Sequence, residues 1–286
     1  MSDTFKAACI QNCASANMGA NLGDAESLVR KAADEGADLA CLPEFFSCLD
    51  FRNGTFDVGD IEDEGHPALP RFQGLAEELG IWIQMGSLAI RTPGGKIRNR
   101  AYAIDRNGRI AAYYDKIHLF DVDLAGGESY CESETVEPGS SAVVAATPWG
   151  ILGLSVCYDL RFAHLYRTLA HAGAHFLTVP AAFTKTTGQA HWHVLLRARA
   201  IETGAYVIAA CQCGSHGEAE SYGHSLIIDP WGRILAEGGE EPGIVIAEVD
   251  PGQVQEARRM IPALTHDRDF SLVKTCVPDI TLAAGE

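Results

Sequence analysis

The stretch GILGLSVCYDLRFAHLYRTLAHAGAHFLTV, residues 150–179, predicts a strand, a helix and a second strand in succession. Residues 150–157 are a short apolar run of the length typical of a buried strand, and so are residues 175–179. Residues 162–171 between them are predicted to form the helix. Strands and helices that follow one another so closely are typical of an α/β protein.

The same alternation continues on both sides of this stretch. Apolar residues recur on one helical face over residues 22–32. The pair Asn107-Gly108 lies between two alternating runs and predicts a hairpin. The other predicted elements are strands at residues 5–11, 38–42, 81–88, 101–105, 109–114 and 205–211 and helices at residues 69–79 and 191–203. Since no Pro- or Ser-rich linker interrupts them, we expect one domain over residues 1–286.

Composition and charge exclude several classes of protein. The chain carries 22 basic and 38 acidic residues, and its formal net charge of −16 repels a phosphate backbone, so we expect no nucleic-acid partner. No apolar run approaches the roughly 18 residues of a membrane span, and the first residues lack a signal-peptide pattern. The 9 cysteines are odd in number and include no Cys-x-x-Cys, so we expect reduced thiols and a cytoplasmic protein.

Common cofactor motifs are missing from the sequence. No two glycines lie two residues apart, so Gly-x-Gly-x-x-Gly cannot occur, and there is no Gly-Lys-Ser/Thr. His-Glu-x-x-His is also absent. His191 and His193 would point about 200° apart on a helix and would not share a metal ion. We therefore expect neither a metal centre nor an organic cofactor.

Glu44, in LPEFF at residues 42–46, follows a predicted strand and is surrounded by apolar residues. Loss of hydration raises the pKa of such a carboxyl group and suits it to general-base catalysis. The alternative is a buried Glu with a structural role, or one at the rim of a site. The sequence around Glu44 leaves both open.

Lys116, in YYDKIHLF at residues 113–120, closes a predicted strand. A half-buried ammonium group there could stabilise an oxyanion. The alternative is a structural lysine paired with its neighbour Asp115.

Cys157 lies where a predicted strand runs into a turn and a helix. A helix dipole favours the thiolate of such a cysteine and makes it a candidate nucleophile. The alternatives are a buried structural cysteine and, because Gly153-x-Ser155-x-Cys157 partly matches a serine-hydrolase elbow, a nucleophilic Ser155. The final glycine of that elbow is absent here.

Together, LPE at residues 42–44, DKIHLFD at 115–121 and CYDLRF at 157–162 resemble the Glu, Lys and Cys motifs of the nitrilase superfamily of carbon–nitrogen hydrolases, in the same order. The resemblance implies that Glu44 is the general base, Lys116 the oxyanion-stabilising cation and Cys157 the nucleophile. It also implies a second acid in the loop after Lys116. Glu132 matches that position best, and Glu128 is the alternative.

The same resemblance implies a four-layer αββα sandwich that assembles as a homodimer. It implies cleavage of a small linear amide through a cysteine thioester with release of ammonia. A non-enzymatic relative that retains the fold is the main alternative of another class. The presence of Glu44, Lys116 and Cys157 together argues against it.

Further segments resemble those amidases of the superfamily that act on deaminated glutathione. By this resemblance, Arg161 holds a substrate carboxylate, and Tyr158, Phe183 and Thr187 contact the substrate. The alternatives are an ω-amidase acting on α-ketoglutaramate and an N-carbamoyl amino-acid amidohydrolase. His193 replaces the Glu of these relatives, and we expect it to border the pocket and to alter specificity for the distal part of the substrate.

Overall fold

A computed structural model of the chain describes residues 4–52, 55–61, 65–124 and 129–273. The strands are β1 Phe5–Gln11, β2 Leu39–Cys41, β3 Asp50–Arg52, β4 Thr55–Asp57, β5 Trp82–Gln84, β6 Leu88–Arg91, β7 Ile97–Ile104, β8 Ile110–Asp115, β9 Asp121–Asp123, β10 Ser129–Cys131, β11 Val143–Thr147, β12 Gly150–Leu154, β13 Ala174–Thr178, β14 Tyr206–Ala209, β15 Cys213–His216, β16 Ala219–Tyr222, β17 Leu226–Ile228, β18 Ile234–Glu237 and β19 Gly243–Val249. The α-helices are α1 Met18–Asp34, α2 Ala68–Leu79, α3 Ala163–His171, α4 Lys185–Thr187, α5 His193–Thr203 and α6 Gly252–Met260.

Two large sheets organise these strands. The first has the order β19-β1-β2-β5-β7-β6, with β8 paired to β7, and its centre β1-β2-β5 is parallel. The second has the order β11-β12-β13-β14-β17-β18, with a parallel centre β12-β13-β14. Antiparallel strands flank both centres. The two sheets are therefore similar in construction, and β19 from the C-terminal part of the chain completes the edge of the first sheet.

The alternation of side chains along β1 shows how the layers stack. Ala7 and Cys9 lie in a buried core shared with Leu152 of the second sheet, whereas Ala8 and Ile10 lie in a separate core with residues of α1 and α2. On the other side, α3 packs on β12 and β13, and α5 packs on β14 and β17. Helices thus cover the outer face of each sheet, and the expected αββα sandwich is confirmed.

The hairpin around Asn107-Gly108 forms as predicted. Strands β7 and β8 pair antiparallel on either side of it, and Gly108 has a φ of 72° that a residue with a side chain rarely adopts. The carboxylate of Asp105 accepts hydrogen bonds from the backbone of Asn107 and Arg109. Local turn chemistry is therefore sufficient to set this connection.

The predicted strand at residues 81–88 is wrong in its extent, because the structure divides it into β5 and β6. Between them Gly86 has a φ of 40°, and a Cβ there would lie 2.0 Å from the carbonyl oxygen of Pro43. The chain turns at Gly86 because the backbone before Glu44 occupies the adjacent space.

Two other boundaries also differ from the predictions. Strand β12 ends at Leu154, and Cys157 begins a 3-10 turn, Cys157–Arg161, that precedes α3. Helix α5 begins at His193, after a π-helical turn over Gly188–Trp192. None of the helices in the described ranges has both the length and the apolar character needed to cross a bilayer.

Candidate active site

A cavity of about 650 Å³ opens between the carboxyl ends of strands from both sheets. Glu44 follows β2, Lys116 directly follows β8, and Cys157 follows β12, so three separate strands deliver side chains to the same end of the cavity. Carboxyl ends of parallel strands are where α/β folds place their sites. Glu132, on a short 3-10 turn after β10, joins them there.

Glu44 is buried and its carboxylate is held by three donors. Oε1 accepts hydrogen bonds from Asn99 Nδ2 at 2.8 Å and from Lys116 Nζ at 3.1 Å. Oε2 accepts one from the backbone N–H of Ala182 at 2.9 Å. The next residue, Phe45, has a left-handed φ of 50° and donates its N–H to Ser87. A strained backbone conformation is therefore fixed by the turn at residues 86–87.

Lys116 is 2% exposed and lies between two carboxylates. Its Nζ is 2.7 and 2.9 Å from the two oxygens of Glu132 and 3.1 Å from Glu44. The same Glu132 also accepts the N–H of Phe120 at 2.6 Å, which fixes the loop beside the cavity. The geometry therefore brings Glu132 to Lys116, and Glu128 lies outside the described residues.

Burial and the opposite charge of the partner act in opposite directions on the pKa of both Lys116 and Glu132. Burial lowers the pKa of Lys116, but the carboxylates of Glu132 and Glu44 raise it more, so the net pKa is well above its ordinary value. Burial raises the pKa of Glu132, and the proximity of Lys116 offsets only part of that. The amine therefore keeps its positive charge at neutral pH.

Cys157 lies beside Glu44 and Lys116, and its backbone has a left-handed φ of 48°. Its own N–H donates to Pro180 O at 2.9 Å. Burial raises the pKa of the thiol well above its ordinary value, the Glu44 carboxylate raises it further, and Lys116 lowers it. Burial and the neighbouring anion thus oppose the thiolate that a helix dipole would favour, and Cys157 starts a short 3-10 turn instead of an α-helix.

Asp159 fixes the turn that carries Cys157, a role that sequence reasoning did not assign to it. One carboxylate oxygen contacts His118 Nδ1 at 2.7 Å and its N–H at 3.1 Å. The other accepts from Tyr114 Oη at 2.7 Å and from Val156 N at 2.9 Å. This buried carboxylate therefore links the Cys157 turn to the strand and loop around Lys116.

Asn99 is a second residue that sequence reasoning missed. It is fully buried on β7, and its Nδ2 donates to Glu44 at 2.8 Å and lies 3.4 Å from Glu132. Its backbone carbonyl oxygen accepts the backbone N–H of Lys116 at 2.9 Å. One asparagine thus positions all three charged residues. The alternating pattern of β7 marks Asn99 as inward-facing, and a polar residue at such a position was the available signal.

Asp115, the alternative partner of Lys116, and Ser155, the alternative nucleophile, both bond to other residues in the structure. Asp115 pairs with Arg98 and Arg100 and leaves Lys116 to the cavity. Ser155 Oγ is bonded to Tyr166 Oη and to Thr178 O, both at 2.8 Å, within the core. Ser155 is not part of the cavity lining.

The predicted substrate-contacting residues lie along one wall. Tyr158, Phe183 and Thr187 line the cavity. The Arg161 guanidinium lies 5.8 Å from the ring centre of Tyr158 and 5.4 Å from that of Phe183, with Nη1 3.2 Å from His191 Nδ1. Arg161 is thus next to the lining rings without being part of the lining itself.

His193 does not border the cavity, contrary to expectation. Its Nε2 lies 2.9 Å from Glu237 Oε1, and its ring contacts those of Tyr222 and His224. The first turn of α5 directs this side chain toward β18 and away from the cavity. His193 therefore has no direct route to the distal part of a substrate.

Sequence comparisons identify relatives over most of the chain. Residues 6–259 match the carbon–nitrogen hydrolase family. A deaminated glutathione amidase from Synechocystis is 43% identical over 92% of this chain and 97% of its own length. A human deaminated glutathione amidase is 43% identical over 87% of this chain and 77% of its own length.

Solved structures with the same fold include the NitFhit protein of C. elegans, with a TM-score of 0.85 and 33% identity over 93% of this chain and 66% of that chain. Nit3 of Saccharomyces cerevisiae, a member of the nitrilase superfamily, has a TM-score of 0.80 and 29% identity over 92% of this chain and 96% of its own. A Nesterenkonia amidase variant, with an acetamide moiety on its active-site cysteine, has a TM-score of 0.75 and 27% identity over 90% of this chain and 94% of its own. By its sequence and its fold, this chain belongs to the carbon–nitrogen hydrolase family.

Proposed function

We propose that the protein is a thiol amidohydrolase that cleaves the side-chain amide of an α-keto acid amide such as deaminated glutathione. The observation that carries the proposal is the meeting of Cys157, Glu44, Lys116 and Glu132 at the buried end of one cavity. A nucleophile, a base and a fixed cation within reach of one another are the parts that acyl transfer needs.

In the first half of the reaction, Cys157 sulfur attacks the amide carbon. The raised pKa of Cys157 means that its proton must leave during the attack, and Glu44 is the carboxylate placed to take it. Lys116 stabilises the oxyanion because it stays charged in a buried site. Since the N–H of Cys157 is bonded to Pro180, we assign the backbone donor for the oxyanion to Tyr158.

In the second half, Glu44 returns the proton to the amide nitrogen, and ammonia leaves as the C–N bond breaks. The product of this step is a thioester on Cys157. A water molecule that Glu44 deprotonates attacks the thioester and regenerates the thiol, so that an amide and water become an acid and ammonia. Glu132 holds Lys116 through both steps with hydrogen bonds of 2.7 and 2.9 Å. No step needs a metal ion or an organic cofactor.

Substrate preference follows from the wall and the volume of the cavity. Arg161 lies four residues beyond the nucleophile and close to Tyr158 and Phe183, where its guanidinium can pair with the α-keto acid carboxylate of the substrate. A volume of about 650 Å³ is in the range of sites for ligands of many atoms and exceeds the needs of a five-carbon amide. These features favour the tripeptide-like deaminated glutathione over α-ketoglutaramate. The relatives named as deaminated glutathione amidases support the same choice.

A panel of substrates tests the proposal, with ammonia release as the measurement. It contains deaminated glutathione, α-ketoglutaramate, an N-carbamoyl amino acid, a short neutral amide and a nitrile. We expect the highest kcat/KM for deaminated glutathione. A higher value for α-ketoglutaramate would identify an ω-amidase. A higher value for the carbamoyl compound would identify an N-carbamoyl amino-acid amidohydrolase. Absence of turnover on the whole panel would contradict an amidase.

We also propose that residues 1–286 form one domain, that the protein acts in the cytoplasm and that it is a homodimer. All cysteines in the described ranges are free thiols, which suits a reducing compartment. A second copy would cover an exposed apolar surface on α5 and β18 and the turn before β18, formed by Val194, Ile201, Trp231, Ile234 and Leu235. Sedimentation of wild type and of Trp231→Glu tests the dimer: we expect a dimer for the first and a shift toward monomer for the second.

A further inference from the structure

Outside the cavity, three metal-ligating side chains converge. In the described part of the chain, His193, His224 and Glu237 form the one such group, with ligand atoms that all lie within 4.8 Å of one another. Glu237 Oε1 is 2.9 Å from His193 Nε2 and 3.0 Å from His224 Nδ1. None of the three residues lines the cavity. The group is therefore separate from the proposed reaction.

The three ligands come from three different elements. His193 is the first residue of α5, His224 lies in the segment between β16 and β17, and Glu237 is the last residue of β18. In the single chain their side chains are 29%, 22% and 38% exposed, so an ion could enter from solvent and keep a water molecule at an open position. A single ion would link elements that are distant in sequence.

His224 is held in place through both its backbone and its ring. Its N–H donates to Gly239 O at 2.9 Å, and its carbonyl oxygen accepts the indole N–H of Trp192 at 2.8 Å. Its ring stacks on Tyr222 with a centroid distance of 4.4 Å. These contacts keep Nδ1 pointing at Glu237 without help from a metal ion, so the imidazole is already oriented for binding.

The chemistry of the donor set selects the class of ion. Two imidazole nitrogens and one carboxylate oxygen suit Zn²⁺ and its first-row neighbours, whereas Ca²⁺ and Mg²⁺ prefer oxygen ligands. Ligand bonds of about 2.0–2.2 Å to one Zn²⁺ ion separate neighbouring donor atoms by roughly 3–3.6 Å. Glu237 Oε1 already lies 2.9 and 3.0 Å from the two imidazole nitrogens, so a small outward movement would admit the ion. We propose that His193, His224 and Glu237 bind one divalent transition-metal ion that fastens α5 to β18 and to the segment before β17.

Titration with Co²⁺ tests the site, because its visible absorption reports ligand type. We expect one Co²⁺ per chain with weak visible bands of nitrogen and oxygen ligands and without the intense near-ultraviolet band of thiolate ligands. Loss of an outer-shell partner of a metal site costs 10- to 100-fold in affinity, so His193→Ala and His224→Ala, which lose a direct ligand, should each weaken binding at least ~100-fold. His266→Ala removes an exposed histidine outside the group and should bind Co²⁺ as wild type does.

A third variant separates metal binding from the hydrogen bonds already present. Glu237→Gln keeps the shape and can still bond to the histidines, but an amide is a poor ligand, so we expect its Co²⁺ affinity to fall at least ~10-fold. Co²⁺ should raise the Tm of wild type and of His266→Ala and leave that of His193→Ala unchanged. Unchanged affinity in the three variants, a thiolate band, or no binding to wild type would each overturn the proposal.

Discussion

The two ends of the cavity differ in burial and in the type of side chain that lines them. At the inner end Glu44, Lys116 and Cys157 are each less than 10% exposed, and charged groups contact one another directly. At the outer end the wall contains a group of aromatic side chains, Phe51, Phe56 and Tyr130, and Phe56 is 42% exposed. Glu44 and Lys116 have several fixed polar partners, whereas the outer wall combines aromatic surface with exposed charged residues such as Asp57, Lys96 and Glu134.

This difference decides how much each end contributes to the reaction. Electrostatic interactions gain strength where water is excluded, so a charge at the inner end acts on the transition state with little screening. Interactions at the exposed end are weakened by water and by side-chain freedom. The inner end is therefore expected to set the rate, and the outer end to set a modest preference among substrates.

The largest effect is expected from Cys157→Ala. Without the sulfur no thioester forms, so ammonia release should fall below detection on every substrate that wild type cleaves. The fold should persist, because a small side chain replaces another at a cost of about 1–2 kcal/mol. Steady-state ammonia assays measure the loss of activity, and a thermal melt measures the retained stability.

Cys131→Ala is the matched control for that change, since it removes an exposed thiol from the same cavity. It should retain nearly full activity. Residual turnover by Cys157→Ala above a tenth of wild type would show that another group is the nucleophile.

Glu44→Gln and Lys116→Met should each lower kcat by at least ~10²-fold, because one removes the proton acceptor and the other the oxyanion's cation. Their effects on stability should differ. Lys116→Met leaves Glu44 and Glu132 buried without a counter-charge, and breaking a buried pair in this way costs about 3–5 kcal/mol. Glu44→Gln leaves the pair of Lys116 and Glu132 intact. Urea unfolding of both variants measures this difference, and equal losses of stability would contradict the ion-pair arrangement.

Short-range patterns account for most of what the sequence predicted. Strand and helix periods predicted the alternation of α and β elements, and the Asn107-Gly108 turn predicted the β7–β8 hairpin, because these patterns act over a few residues. The four-layer arrangement followed from the family resemblance. The alternation of side chains along a strand bears on Lys116. Adjacent residues of a strand point to opposite faces, so Asp115, which immediately precedes it, was the less suitable partner.

What sequence could not predict depends on residues that are distant along the chain. Asp159 is bonded to Tyr114 and His118, which lie 45 and 41 residues away, and no local pattern indicates such pairs. The division of β5 from β6 depends on Pro43 O at Gly86, again a contact between separate segments. The expected position of His193 at the pocket was wrong, because its ring instead pairs with Glu237, which lies 44 residues away along the chain.

Arg161 lies behind the wall rings of Tyr158 and Phe183, and its removal should affect substrates unequally. If its guanidinium pairs with the α-keto acid carboxylate in a shielded position, Arg161→Met should lower kcat/KM on acidic amides about 30- to 1000-fold. A short neutral amide should lose little, because it meets only the inner residues. Arg161→Lys should restore part of the activity, since it returns the charge without the planar fork.

The ratio of kcat/KM for one acidic and one neutral amide, in wild type and in both variants, measures this effect. Equal losses on the two substrates would assign Arg161 to support of the Cys157 turn, with its contacts to Tyr158 and Phe183 as the cause. A thermal melt of each variant distinguishes that outcome from general loss of fold.

The smallest effect is expected at the outer end, from Lys96→Met. Lys96 is exposed, lines the cavity and donates to Ser133 O at 2.8 Å, so its charge can attract the distal carboxylate of a long substrate. Exposed pairs contribute about 0.2–1 kcal/mol, so kcat/KM on deaminated glutathione should fall only about 2- to 5-fold. α-Ketoglutaramate does not extend that far and should be unaffected, as should both substrates with Lys31→Met on α1. A loss that grows at low ionic strength on the long substrate alone would locate its distal end at Lys96, whereas equal losses on both substrates would contradict the division of the cavity into a catalytic and a selective end.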